Sequence, residues 1–115
     1  MTVLIVKPGE EPYPAEIGSG LNAMQEVVGG PIEAVYPFEE HVALICHEEG
    51  KLLGLPLNRA LRCPDTGLVY DAVAGAFFLC AAPLDGENFT SLSQKQIRYY
   101  TDRLRYPEFL FGGDK

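Results

Sequence analysis

The cluster that a search for a nucleophile or a metal site would select first contains His41, Cys46 and His47. An imidazole can activate a neighbouring thiol, and the same residue types bind zinc. Cys46 and His47 are adjacent in a predicted strand, so their side chains should point to opposite faces of the sheet. The two histidines share a face but should lie about 20 Å apart, too far to bind one ion. We therefore interpret Cys46 as a buried thiol between two surface histidines, and we predict no catalytic residue and no metal site.

A second cluster lies in the proline-constrained segment GLPLNRALR, which contains Asn58, Arg59 and Arg62. Asp71 stands in the apolar stretch LVYDAVAGAFFL, where an unpaired carboxylate would be costly to bury. The favoured interpretation is that Arg59 or Arg62 pairs with Asp71 while Asn58 caps a turn. The functional alternative is that the arginines and the amide face outward and bind an anion or a nucleotide, with Tyr70 among the tyrosines that could stack on a base.

The remaining acidic residues give little support to catalysis. Carboxylate pairs such as Glu39-Glu40 and Glu48-Glu49 lie in predicted turns, where solvent rather than a desolvating cleft should surround them. The sequence contains no glycine-rich phosphate loop, no H-E-x-x-H zinc motif and no G-x-S-x-G nucleophile motif. We therefore expect no cofactor and more readily a binding protein than an enzyme.

The elements that must position these residues are short, because nine prolines and twelve glycines interrupt the chain. Apolar and alternating runs predict a first strand, a second strand at the edge beside it, and a hairpin of two more strands. A further apolar run should form one or two strands at the core of the sheet, broken or bulged near Gly75. These predicted strands cover Thr2 to Val6, Tyr13 to Ile17, Ile32 to Tyr36, Val42 to Cys46, and Leu68 to Ala82.

Two helices complete the prediction. Ser19 should cap a helix that ends at Gly29-Gly30-Pro31. Ser93 should cap a second helix, with Gln96 completing a capping box and Pro107 ending it. The fold class is therefore α+β, with a mainly antiparallel sheet and about two packed helices in a single domain over residues 1–115.

Composition limits the classes of partner. Of the 115 residues 47% are hydrophobic, which is ordinary for a globular domain, and oligomerisation could add to its core. The formal net charge is −7, from 16 acidic and 9 basic residues, so binding to a nucleic-acid backbone is not expected. We expect no membrane-spanning segment. Three cysteines form no disulfide or zinc pattern and favour a reducing, cytoplasmic location.

Four blocks of sequence are familiar in this order: VLIVKPGEEPY, LNAMQEVVGGPIEAVYPF, VALICHEEGKLLGLPLNRAL and YDAVAGAFFLCA. Over almost its whole length the chain resembles the small proteins grouped as domain of unknown function 3846. Asn58, Arg59, Asp71 and Gly75 match the most recognisable positions of that family. The resemblance implies a setting, since such proteins look like cargo of bacteriophages, plasmids and conjugative elements in bacterial host cells.

This setting suggests a non-enzymatic anti-defence protein that sequesters a nucleotide immune signal through Asn58, Arg59 and Arg62 with a tyrosine platform. The site could lie across an oligomer interface. One alternative is an acidic protein that blocks the DNA-binding surface of a host restriction or CRISPR protein, for which the net charge is the support. A second alternative is a hydrolase with an unrecognised site centred on Asp71 or His47.

Overall fold

The computed structural model describes residues 1–86 and 88–108. Within these residues the chain forms seven strands and two helices. In chain order they are β1 (Thr2–Val6), β2 (Tyr13–Glu16), α1 (Leu21–Val28), β3 (Ile32–Val35), β4 (Val42–His47), β5 (Leu57–Arg62), β6 (Val69–Ala74), β7 (Phe77–Ala81) and α2 (Gln94–Arg103).

The strands form two antiparallel sheets. Five of them make one sheet in the order β2-β1-β7-β4-β3, and β5 pairs with β6 in a separate two-stranded sheet. The α+β class with a mainly antiparallel sheet is confirmed, as are the edge position of β2 beside β1 and the β3–β4 hairpin.

Both faces of the five-stranded sheet are covered, which explains why its central strands are nearly continuous apolar runs. β4 is buried along its whole length, and adjacent residues such as Leu44 and Ile45 belong to different hydrophobic clusters. On one face, Met24 and Val28 of α1 pack against the sheet. On the other face the core includes residues from the β5–β6 hairpin, from α2 and from the segment before α2, among them Leu61, Val73, Tyr100 and Leu92.

The apolar run from Leu68 to Ala82 divides at Gly75, as predicted, but its two strands lie in different sheets. Gly75 has a φ of 84°, and a Cβ atom there would lie 2.8 Å from Leu55 Cδ1. The left-handed turn lets the chain leave the two-stranded sheet and enter the centre of the larger one. The expectation that the whole run forms the core of one sheet is therefore correct for β7 and wrong for β6, whose first half is exposed.

Of the two predicted helix N-caps, one is correct and the other is wrong. The Ser93 hydroxyl accepts a hydrogen bond from the Gln96 backbone N–H, and the Ser93 backbone N–H donates to Gln96 Oε1, so the predicted capping box is confirmed. The predicted Ser19 cap is wrong, because α1 begins after Gly20 and no side chain caps it. Neither α1 nor α2 has the length and apolar character of a membrane-spanning helix, and residues 1–86 and 88–108 contain no other helix.

These two serines provide a matched test of the helix ends. Ser93→Ala should lower the free energy of unfolding by about 1 kcal/mol, because the N–H groups of the first turn of α2 lose their acceptor. Ser19→Ala should leave the free energy of unfolding unchanged within error, since that hydroxyl caps nothing. Urea unfolding followed by circular dichroism measures both, and equal losses would contradict the assignment of the caps.

Candidate functional site

Asn58 and Arg59 are consecutive residues of β5, yet both side chains are buried, with 1% of each exposed. Neighbours on a regular strand point to opposite faces, so a local irregularity is required. The register with β6 supplies it: Leu57 pairs with Ala74 and Arg59 with Val73, so Asn58 is an extra residue on the β5 side. This β-bulge turns the amide and the guanidinium into the protein together.

The buried guanidinium of Arg59 is bound by oxygen atoms of the protein itself. Its Nε donates to the Leu104 carbonyl at 3.0 Å, its Nη2 to the Glu10 carbonyl at 2.6 Å, and its Nη1 to Asn58 Oδ1 at 2.8 Å. Leu104 is the C-cap of α2, so the cation lies at the negative end of the helix dipole. Burial lowers the pKa of Arg59, but arginine remains charged in proteins.

Asn58 completes this arrangement. Its Nδ2 donates to the carbonyls of Val6 and Gly75, each at 2.9 Å. We call Asn58, Arg59 and the backbone carbonyls that they bind the Arg59 hub. It joins β5 to the end of β1, to the β1–β2 connection, to Gly75 and to the C-terminus of α2. Asn58 and Arg59, two of the three residues of the predicted outward-facing anion clamp, therefore face inward and donate hydrogen bonds inside the fold.

Asp71 does not pair with either arginine, so that prediction is wrong. Its carboxylate is paired with Lys51, and both side chains are about half exposed, at 47% and 55%. The hydrogen bond from Lys51 holds the pKa of Asp71 below its usual value. Asp71 is not buried as predicted, because it lies in the first half of β6, whose three residues are all exposed to solvent.

Arg62 is exposed and pairs with Glu108 at 2.6 Å, while the other oxygen of Glu108 accepts from the Ala60 backbone N–H at 2.9 Å. Partial burial favours the neutral form of Glu108, but these two hydrogen bonds outweigh it and lower the pKa of that carboxyl. Tyr70 is also exposed, with 60% of its surface in solvent. The five predicted site residues therefore do not converge, and a ligand role for Arg62, Tyr70 and Asp71 stays a prediction.

The cysteine and histidine cluster provides no activated nucleophile. Burial raises the pKa of the Cys46 thiol to about 11, so the thiol is neutral at physiological pH. His41 is exposed as predicted. The prediction of a surface position is wrong for His47, which is 7% exposed, packs against Gly30 and accepts a hydrogen bond at Nδ1 from the Glu49 N–H. Residues 1–86 and 88–108 contain no group of three His, Cys, Asp or Glu side chains suited to a metal ion.

A cleft of about 570 Å³ lies along α2, a volume within the usual range for small-molecule sites. Its walls come from α2, from the β3–β4 connection and from the turn after β5. We call it the α2 cleft, and its lining residues are Glu39, Glu40, Pro64, Ser93, Lys95, Gln96, Tyr99, Tyr100 and Arg103.

Aromatic contacts fix the wall that α2 contributes. Tyr100 is buried and its hydroxyl donates to Glu40 Oε1 at 2.8 Å; burial, with this hydrogen bond, raises the pKa of Tyr100. Tyr99 packs edge-on against Tyr100, with ring centroids 4.8 Å apart, and remains 53% exposed. The Arg103 guanidinium lies 4.9 Å from the centroid of the Phe38 ring. The cleft thus presents an exposed tyrosine ring and a guanidinium held on an aromatic face.

The α2 cleft was not among the predicted sites, although the sequence contains a signal for it. Lys95, Tyr99 and Arg103 follow one another at intervals of four residues, which places them on one face of a helix. Two cations on either side of a planar ring form a surface suited to an anionic aromatic ligand. The same spacing is also typical of the solvated face of an amphipathic helix, so the spacing alone does not indicate a site.

A family model described as a domain of unknown function (DUF3846) matches residues 1–105. The chain belongs to this family. No curated protein matches the chain. No solved structure matches it either. The DUF3846 match includes both the Arg59 hub and the whole lining of the α2 cleft, so both are built from the part of the chain that belongs to the family.

The internal role of Arg59 can be tested by comparing the two arginines of β5. Arg59→Met should lower the free energy of unfolding by about 3 kcal/mol, because the buried Oδ1 of Asn58 and the carbonyls of Leu104 and Glu10 lose their donor. Arg62→Met should cost less than about 1 kcal/mol, since it removes an exposed ion pair. Denaturant unfolding of both variants measures the difference, and similar values for the two would contradict the hub.

Proposed function

We propose that this protein is a non-enzymatic binding protein whose α2 cleft binds a small anionic ligand containing a planar ring, a nucleotide being the class that fits best. The observation that supports this proposal most strongly is the shared helix face of Lys95, Tyr99 and Arg103 along a cleft of about 570 Å³. This volume accommodates a ligand of nucleotide size.

Each part of a nucleotide has a matching group in the cleft. The exposed ring of Tyr99 can stack on a base, an interaction that tolerates any base because each has a π-face. Lys95 and Arg103 can neutralise phosphate charge on either side of that ring. Glu39 is exposed and can accept a hydrogen bond from a base amino group or a ribose hydroxyl.

The charge of the chain argues for a small ligand rather than a polymer. A net charge of −7 repels an extended phosphate backbone, whereas two local cations can still hold one or two phosphates. Burial raises the pKa of Cys46 to about 11 and that of Cys80 to about 12, so neither of these two thiols supports nucleophilic catalysis at physiological pH. In a mobile element, such binding would remove a nucleotide immune signal from the host's defence.

The proposal is tested by screening AMP, ADP-ribose and cyclic dinucleotides for an increase in the melting temperature of the protein. The affinity of any nucleotide that binds should fall roughly tenfold or more in Tyr99→Ala, because stacking on the ring is lost. Tyr70→Ala is the matched control, since Tyr70 is 60% exposed and lies outside the cleft. The affinity of this variant for the nucleotide should be unchanged.

Nucleotide recovered intact after heat denaturation supports sequestration, and nucleotide recovered cleaved indicates the hydrolase alternative. Absence of binding by all of these nucleotides, or equal weakening in Tyr99→Ala and Tyr70→Ala, would contradict the assignment of the cleft.

A further inference from the structure

A second feature, separate from the α2 cleft, is a groove between two strand edges. β3 is the outermost strand of the five-stranded sheet, and β6 pairs with β5 alone among the described strands. The groove between them has a volume of about 200 Å³ and is bounded at one side by the turn after β4. We call it the β3–β6 groove; its lining includes Glu33, Val35, Glu48, Lys51, Leu52 and Asp71.

Apolar side chains form part of the lining of the β3–β6 groove. Val35 is partly buried against the hydrophobic core, and Leu61 and Val73 line the groove from the hairpin. Leu52, at its rim, is 86% exposed, which costs hydrophobic free energy unless a partner covers it. Each strand edge also carries backbone groups that another strand can pair with.

The groove is acidic as well as apolar. The carboxylates in its lining are Glu33, Glu48, Glu49 and Asp71, and the ammonium group of Lys51 is the one Lys or Arg charge among the lining residues. Four negative charges and one positive charge leave a net charge of −3. Lys51 is paired with Asp71, so the other three carboxylates have no ion-pair partner among the described residues.

We propose that the β3–β6 groove binds an extended basic segment of a partner protein. Lysine or arginine side chains of the segment would lie among Glu33, Glu48 and Glu49, and alternate apolar side chains would cover Val35 and Leu52. The two-residue alternation of an extended chain delivers these two kinds of side chain to opposite walls of a groove, as in recognition by strand addition.

The negative charge of the groove favours a basic segment over a second copy of this chain and over a nucleic acid. A second copy of this chain has a net charge of −7 and would bring further acidic residues to an acidic groove. A nucleic acid is repelled for the same reason. A basic segment is attracted to the acidic groove, and its cations neutralise the carboxylates when the segment binds.

The direct test measures binding of a fluorescein-labelled hexapeptide of alternating lysine and valine to the full chain by fluorescence anisotropy. Glu33→Lys should weaken the binding about tenfold or more. Glu26→Lys is the matched control, because Glu26 is equally an exposed glutamate but lies on α1, on the opposite face of the sheet. It changes the net charge by the same amount and should alter the affinity less than twofold.

Leu52→Ser is a second variant, which removes the apolar side chain at the rim without changing the charge. It should weaken binding at least fivefold without changing the melting temperature, because Leu52 is highly exposed. Equal weakening by Glu33→Lys and Glu26→Lys would show that only the overall charge matters and would overturn the proposal. Equal binding of an alternating glutamate and valine peptide would also overturn it, as would dimerisation of the chain that Leu52→Ser abolishes while peptide affinity is unchanged.

Discussion

A buried guanidinium that has no ion-pair partner among residues 1–86 and 88–108 must find other oxygen atoms there, and this constraint governs how the parts of the fold meet. Arg59 satisfies it with carbonyls from Glu10 and Leu104, segments far apart in sequence, and with the side chain of Asn58. These hydrogen bonds require the bulge in β5, which turns the side chains of Asn58 and Arg59 inward. It also requires α2 to end where its last carbonyls, with their negative partial charge, reach the cation. The hub therefore sets the position of the hairpin relative to the sheet and to α2.

The α2 cleft depends on the same arrangement. α2 is held at its N-terminus by the adjacent buried Leu92, whose N–H donates to the Thr2 carbonyl at 2.9 Å, and at its C-terminus by Arg59. Between these points Tyr100 packs into the core and bonds to Glu40 in the β3–β4 connection. A helix fixed at three places presents its outer residues in a defined orientation, which is what a binding surface needs. The β3–β6 groove, in contrast, is formed by edges that the hub leaves open, so the two proposed surfaces are independent.

Much of the fold could be predicted because its signals are local. Apolar runs predicted β1, β4 and β7, and the spacing of Ser93 and Gln96 predicted the cap of α2. The partners of Arg59 could not be predicted, since every residue has a backbone carbonyl. Which carbonyls lie near Arg59 depends on the complete fold. The pairing of Asp71 was missed for a related reason: an apolar run predicts a strand, but not that the first half of that strand is exposed to solvent. The burial of His47 likewise depends on Gly30, a contact between segments that no periodicity indicates.

The central claim is that the Arg59 guanidinium is enclosed by the fold and is part of its stability. The most direct measurement is hydrogen exchange of the arginine Nε–H groups, followed by ¹⁵N-resolved nuclear magnetic resonance. The Nε–H of Arg59 should exchange far more slowly than that of Arg98, an exposed residue of α2, and its rate should match that of the most protected backbone amides of β7. Exchange of Arg59 as fast as that of Arg98 would show that the guanidinium is open to solvent, and would contradict this account of the fold.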